Sequence, residues 1–85
     1  MAEPTFDLEI LTPDGCLYSG KCTALTVRLD DGEATILAHH APLLAMLPPG
    51  PVRVRLDREV RLFTCGEAFL KVSPQGTALF AQEGK

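Results

Sequence analysis

Two adjacent histidines, His39 and His40, three cysteines, Cys16, Cys22 and Cys65, and the acidic run Asp30-Asp31-Gly32-Glu33 are where chemistry-capable side chains stand out in this sequence. A metal site needs ligands that converge. Neighbouring histidines in an extended segment point to opposite sides, so His39 and His40 do not share an ion, and no third or fourth ligand stands at metal spacing. One of them is expected to bond the backbone at a turn and the other to be solvated. The acidic run lacks the alternating oxygen ligands and distal glutamate of a twelve-residue calcium loop. It reads as a hairpin tip that offers carboxylates to a basic or polar partner. An odd number of cysteines with no C-x-x-C pair suits neither a disulfide framework nor structural zinc, and the three read as reduced thiols filling turns and strands. Neither these thiols nor Ser19 and Ser73 sit in a nucleophile-elbow or cysteine-protease context. No Gly-rich loop joins a strand to a helix to cradle phosphate. The residues therefore point to no catalytic group, no cofactor and no metal.

The elements that hold these residues are read from alternation. Phe6, Leu8 and Ile10 alternate with Asp7 and Glu9 before Pro13-Asp14-Gly15 turns the chain. Leu25, Val27 and Leu29 alternate with Thr26 and Arg28, and Gly32 supplies the positive φ that a tight hairpin requires. Residues 33–38 form the returning strand, and residues 43–47 one more. Pro48-Pro49-Gly50-Pro51 reads as a turn, since proline has no N–H for a ladder. Val52, Val54 and Leu56 then share a face, a turn falls at Asp57-Arg58, and Val60, Leu62 and Thr64 alternate with Arg61 and Phe63. Ala68, Leu70 and Val72 alternate with Glu67, Phe69 and Lys71 up to the Ser73-Pro74-Gln75-Gly76 turn, and residues 77–81 close the series. No window of a dozen residues keeps a helical period. Eight to ten short strands predict an all-β, two-sheet sandwich or flattened barrel. Leu11, Phe63, Phe69 and Phe80 fall out of phase with the core positions, which suggests an apolar outer patch and hence a contact surface.

With 85 residues the chain fits one domain over its whole length, residues 1–85. Its formal net charge of -3 argues against nucleic acid as a partner. Its longest apolar run is far short of the roughly 20 residues that cross a bilayer, so no transmembrane segment of its own is expected. The opening Met-Ala-Glu-Pro lacks the pattern of a signal peptide, which places the chain on the cytosolic side or its organellar equivalent.

The run Asp31-Gly32-Glu33, followed by His40-Ala41-Pro42-Leu43-Leu44 and then Pro49-Gly50, resembles the epsilon subunit of F-type ATP synthases, called delta in mitochondria. Further segments agree with it. Leu8-Glu9-Ile10-Leu11-Thr12-Pro13 is similar to that family's first strand, Tyr18-Ser19-Gly20 to its aromatic-Ser-Gly turn, and Gly66-Glu67-Ala68-Phe69-Leu70-Lys71-Val72 to the strand that begins in a glycine pair. His39 stands where the family usually has glycine, Ala38 where it often has proline, and Glu67 where a second glycine is common. The resemblance implies a non-catalytic rotor subunit of the central stalk that couples the gamma subunit to the membrane c-ring during proton- or sodium-driven ATP synthesis. It further implies a place peripheral to the membrane, on the cytoplasmic side of the bacterial inner membrane or its organellar equivalent. Mapped residue by residue, Asp31, Gly32 and Glu33 would face the c-ring, and Thr12, His40, Ala41, Pro42, Leu43, Leu44 and Ala45 the gamma subunit. The family's two-helix hairpin, associated with inhibition of ATP hydrolysis, has no counterpart in the 85 residues, so that role is not carried over.

Physical expectation agrees with a covered surface. Leu43, Leu44 and Met46 offer a non-directional grip at roughly 25 cal/mol per Å² removed from water, and the acidic tip supplies orientation. The alternative is a stand-alone sandwich that binds a peptide or small ligand through Phe63, Phe69 and Phe80.

Overall fold

The computed structural model describes residues 3–85. Its strands are β1 (Phe6–Thr12), β2 (Gly15–Cys22), β3 (Ala24–Leu29), β4 (Gly32–Leu37), β5 (Leu43–Leu47), β6 (Gly50–Arg55), β7 (Val60–Cys65), β8 (Ala68–Ser73) and β9 (Gly76–Ala81). No helix occurs among the described residues. The strands form a five-stranded sheet, β2-β1-β9-β8-β5, and a four-stranded sheet, β4-β3-β6-β7. All pairs are antiparallel except β1 with β9, which brings the first and last strands together in parallel. The expected all-β, two-sheet sandwich is therefore the observed architecture.

The alternation that predicted these strands also builds the core. Leu8 and Ile10 from β1, Leu70 and Val72 from β8 and Leu79 from β9 meet Leu25 and Val27 from β3, Ile36 from β4 and Val52 and Val54 from β6. No buried side-chain polar atom lacks a hydrogen-bond partner among the described residues. Gly32 follows the two-residue tip Asp30-Asp31 with φ 142°, the positive value expected of it. Gly76 does the same after Pro74-Gln75 with φ 149°, and a Cβ there would sit 3.2 Å from the carbonyl oxygen of Asp7.

Three local expectations are corrected. Tyr18-Ser19-Gly20 is not a turn but the middle of β2. That strand escapes alternation because it lies at a sheet edge and carries a bulge: Ile10 pairs with Tyr18 and Leu11 with Cys16, leaving Leu17 as the extra residue. Leu17 and Tyr18 consequently both pack on the core. Second, Gly50 and Pro51 already belong to β6. Proline is tolerated there because the pairing of β6 with β3 begins only at Val52.

The third correction concerns β7, whose phase is reversed. Phe63 packs against the core and Cys65 is buried, whereas Val60 and Leu62 are exposed. Cross-strand register is the cause: Val52 pairs with Phe63 and Val54 with Arg61, so the inward face of β6 sets the inward face of β7. Phe63 then meets Tyr18 edge to face at 6.3 Å, and the Arg61 guanidinium lies 5.9 Å from the Tyr18 ring centre. These contacts tie β2 to β7 and close one side of the sandwich.

Candidate functional site

Strand register divides the candidate residues between two ends of the sandwich. At one end lie the tips of the β1–β2 and β3–β4 hairpins, the start of β6, the β7–β8 turn and residues 82–85. These segments carry Asp14, Asp30, Asp31, Glu33, Glu67 and Glu83 against Arg28 and Lys85, which makes this the acidic end. Asp31, Gly32 and Glu33 are all exposed there. Thr12 belongs to the same end, where its hydroxyl donates to the Gly15 carbonyl at 3.2 Å and accepts from the Asp14 N–H at 3.2 Å.

His40, Ala41 and Pro42 occupy the opposite end, all exposed. Thr12 and His40, which the resemblance assigns to the same partner, thus lie at opposite ends, and the length of β5 alone separates the two ends by roughly 14 Å. His39 adopts φ 66°, the left-handed conformation that glycine adopts without cost. At this position, where the resemblance led to the expectation of glycine, a histidine thus holds a conformation that costs an L-residue. The His40 N–H donates to the Leu37 carbonyl at 3.2 Å, and its Nδ1 lies 2.7 Å from the Ala41 carbonyl oxygen. One histidine bonds the backbone and the other is solvated, the division expected of them. An open groove of about 460 Å³ runs past both, between Leu37 and the Ser73–Gly76 turn. The Lys21–Asp7 ion pair at 3.0 Å crosses its rim, exposed on both sides.

Between the ends, β5 splits its residues by face. Leu43 and Ala45 pack towards the core, while Leu44 and Met46 are 64% and 68% exposed on the outer face of the five-stranded sheet. The register Met46–Phe69–Phe80–Leu11 makes one continuous apolar row across β5, β8, β9 and β1, about 14 Å wide. Leu44, Lys71, Ala78 and Glu9 form the next row. Leu11, Phe69 and Phe80 are therefore outward, as their phase suggested. Phe63 is not, so the three-phenylalanine patch of the adaptor reading does not form. Met46 was expected to grip a partner and Leu11, Phe69 and Phe80 to face outward; what the sequence does not show is that strand register joins them in one row.

Protonation chemistry is muted at these surfaces. Burial pushes the Cys22 thiol from 9.0 up to about 11, with a backbone hydrogen bond from Ala24 opposing it, and burial likewise raises Cys65. Both thiols stay protonated at neutral pH, and Cys16 is the exposed one. Among the described residues no group of three or more His, Cys, Asp or Glu side chains is gathered as a metal site. Among the described residues no helix is long and apolar enough to cross a membrane.

The sequence profile described as "ATP synthase, Delta/Epsilon chain, beta-sandwich domain" matches residues 5–84. The chain belongs to that family. It is 34% identical over 79 residues to the ATP synthase epsilon chain of Halalkalibacterium halodurans, covering 93% of this chain and 59% of the relative. The epsilon chain of Bacillus pumilus is 35% identical over 78 residues, covering 92% and 60%. This chain thus spans about three-fifths of the length of the curated relatives it matches. Among solved structures, a chain of the Euglena gracilis mitochondrial ATP synthase, OSCP/F1/c-ring in rotational state 1, superposes with a TM-score of 0.88 at 21% identity. That superposition covers 100% of this chain and 56% of the other. A chain of the Tetrahymena thermophila mitochondrial ATP synthase central stalk/c-ring gives 0.82 at 17% identity, covering 100% and 69%. These two likenesses speak for the fold. The delta/epsilon sandwich carries its acidic loop and its apolar row on neighbouring surfaces: Leu11, the last member of the row, is one residue from Thr12 at the acidic end.

Proposed function

We propose that this sandwich is the central-stalk part of a rotary F-type ATP synthase, gripped by the gamma subunit and seated on the c-ring, with a mechanical and not a catalytic role. The observation that carries the reading is the outward-facing apolar row Met46–Phe69–Phe80–Leu11, with Met46 and Phe80 exposed, on a sheet face whose end is acidic. On this reading, which family membership supports, the gamma subunit lies against the row and Leu44, and the ring against Asp31, Gly32 and Glu33. Thr12 and His40 bracket the gamma contact from the two ends. Leu43 and Ala45 shape it from beneath, since they pack inward and hold β5 against the core.

Magnitudes show why both surfaces are needed. Leu44, Met46 and Phe80 are 64%, 68% and 46% exposed. Burying what remains of them yields about 3–5 kcal/mol in total, less than or comparable to the loss of free tumbling on association, about 4–15 kcal/mol. The row alone makes a weak grip. A persistent interface requires at least about 1,000 Å² buried in all, so the rest of the face and the acidic end contribute as well. The side of the membrane follows from the partners: the sandwich sits at the cytoplasmic face of a bacterial inner membrane or its organellar equivalent.

The test is co-migration of the chain with a gamma–c-ring subcomplex in gel filtration. Association at micromolar concentration that is lost in Phe80→Asp is the expected result. No association, or unchanged association of Phe80→Asp, would overturn the reading.

A further inference from the structure

The outer face of the four-stranded sheet carries the opposite sign to the molecule as a whole. The formal net charge is -3, yet this face presents Arg28, Arg53 and Arg55 against Glu33 and, beside Arg55, Glu3. Glu33 stands across from Arg28 in register. Arg55 reaches Glu3 only at 3.6 Å, with both side chains more than half exposed at 60% and 57%. Arg53 has no ion-pair partner among the described residues. Each of the two β6 arginines also has an aliphatic neighbour on β7: Leu62 beside Arg53 and Val60 beside Arg55, 70% and 52% exposed.

Spacing narrows what this arrangement recognises. Arg53 and Arg55 share one face of β6 and stand about 6.5–7 Å apart, with the β7 aliphatics about 5 Å to one side. Acidic residues at positions i and i+4 of a helix have Cβ atoms about 6 Å apart, and an apolar stripe flanks them on the next helical row. Guanidinium groups bind carboxylates in a planar, two-point fashion, which suits a protein acid over a point charge. We propose that this face docks an acidic amphipathic helix of a partner protein, its carboxylates on Arg53 and Arg55 and its apolar stripe on Val60 and Leu62. An extended anionic membrane would meet the repulsion of the whole negative chain, whereas a single helix meets mainly the arginine pair within a screening length of about 10 Å. The proposal uses a face other than the apolar row and stands independently of the central-stalk reading.

The probe is a synthetic helical peptide with Glu at i and i+4 and Leu at i+3 and i+7, paired with a twin carrying Gln for Glu. Titrated into the isotope-labelled chain, the Glu peptide is expected to shift amide resonances of Thr26, Arg53, Arg55 and Leu62 saturably, and less so as salt is added. The double variant Arg53→Gln, Arg55→Gln is expected to lose about tenfold in affinity, while Lys71→Gln on the other sheet leaves it unchanged. The proposal is overturned by equal binding of the Gln twin, by shifts confined to the Met46–Phe80 face, or by no saturable shift. Arginine-dependent binding to phosphatidylglycerol vesicles in place of the peptide would overturn it in favour of a lipid surface.

Discussion

Replacing His39 with glycine should stabilise the chain. His39 holds φ 66°, where an L-residue's Cβ crowds its own carbonyl at a cost of about 1–2 kcal/mol. Glycine removes that cost but gives the unfolded chain more freedom, which takes back about 0.4–1 kcal/mol. The imidazole itself contributes little, being exposed and without a hydrogen bond in the structure. The net gain is about 0.5–1 kcal/mol, or roughly 2–8 °C in Tm for a domain of this size. Urea unfolding followed by far-ultraviolet circular dichroism measures it, with the dependence on denaturant held to the same slope. His39→Ala keeps the Cβ and should change stability little, and His39→Val, bulkier near the backbone, should lower it. The ordering Gly above His, His near Ala, Ala above Val is the signature of backbone strain. A glycine variant no more stable than the alanine variant would refute the argument, because the two would then differ only in a side chain that touches nothing.

Other expectations follow from the same geometry. Leu44→Asp should weaken binding to a gamma–c-ring subcomplex more than Glu33→Gln in a pull-down titration, since a charge buried in an apolar contact costs more than a lost rim charge; equal losses would contradict the assignment of faces. Gly76→Ala should cost about 1–3 kcal/mol by chemical denaturation, combining a φ of 149° with a Cβ 3.2 Å from the Asp7 carbonyl oxygen; a neutral result would mean the turn relaxes freely. With a thiol reagent, Cys16 should react in the folded chain, and Cys22 and Cys65 only after unfolding. The Cys22 thiol is held protonated to about 11 in the folded state against 9.0 in the free side chain, so its contribution is intact below pH 9 and is lost as pH rises towards 11. That loss is about 2–3 kcal/mol, and Cys22→Ala should flatten the alkaline fall in stability.

Much of this architecture was legible because the core is built from strict alternation. β1, β3, β4, β5, β8 and β9 show apolar residues two apart, and β1, β3 and β8 close on turns whose glycines, Gly15, Gly32 and Gly76, hold a positive φ. β2 was not legible: a single bulged residue, Leu17, breaks the period, and most of that edge strand faces water. The reversed phase of β7 was recoverable. The Asp57-Arg58 turn was correctly placed, and counting partners outward from it puts Val54 opposite Arg61 and Val52 opposite Phe63. Identical inward patterning on β6 then forces Phe63 inward, whatever the apolarity of Val60 and Leu62. The site divides in the same way. His39-His40 and the Asp30-Asp31-Gly32-Glu33 tip were readable from local chemistry, and the family from the order of its motifs. The members of the apolar row were readable as outward residues, but not their adjacency, since Met46, Phe69, Phe80 and Leu11 become neighbours only through three strand pairings, two of them between strands far apart in the chain. The opposite placement of Thr12 and His40 is invisible for the same reason.

The claim on which the account turns is that the outer face of the five-stranded sheet is the covered one. Single cysteines at Met46, Phe80 and, on the other sheet, Thr35, in a Cys16→Ser background, report it through their rates of maleimide labelling with and without a gamma–c-ring subcomplex. The account predicts that Met46→Cys and Phe80→Cys are labelled readily in the free chain and slowly in the complex, while Thr35→Cys is labelled at the same rate in both. Unchanged labelling at Met46→Cys and Phe80→Cys, with protection at Thr35→Cys, would contradict it.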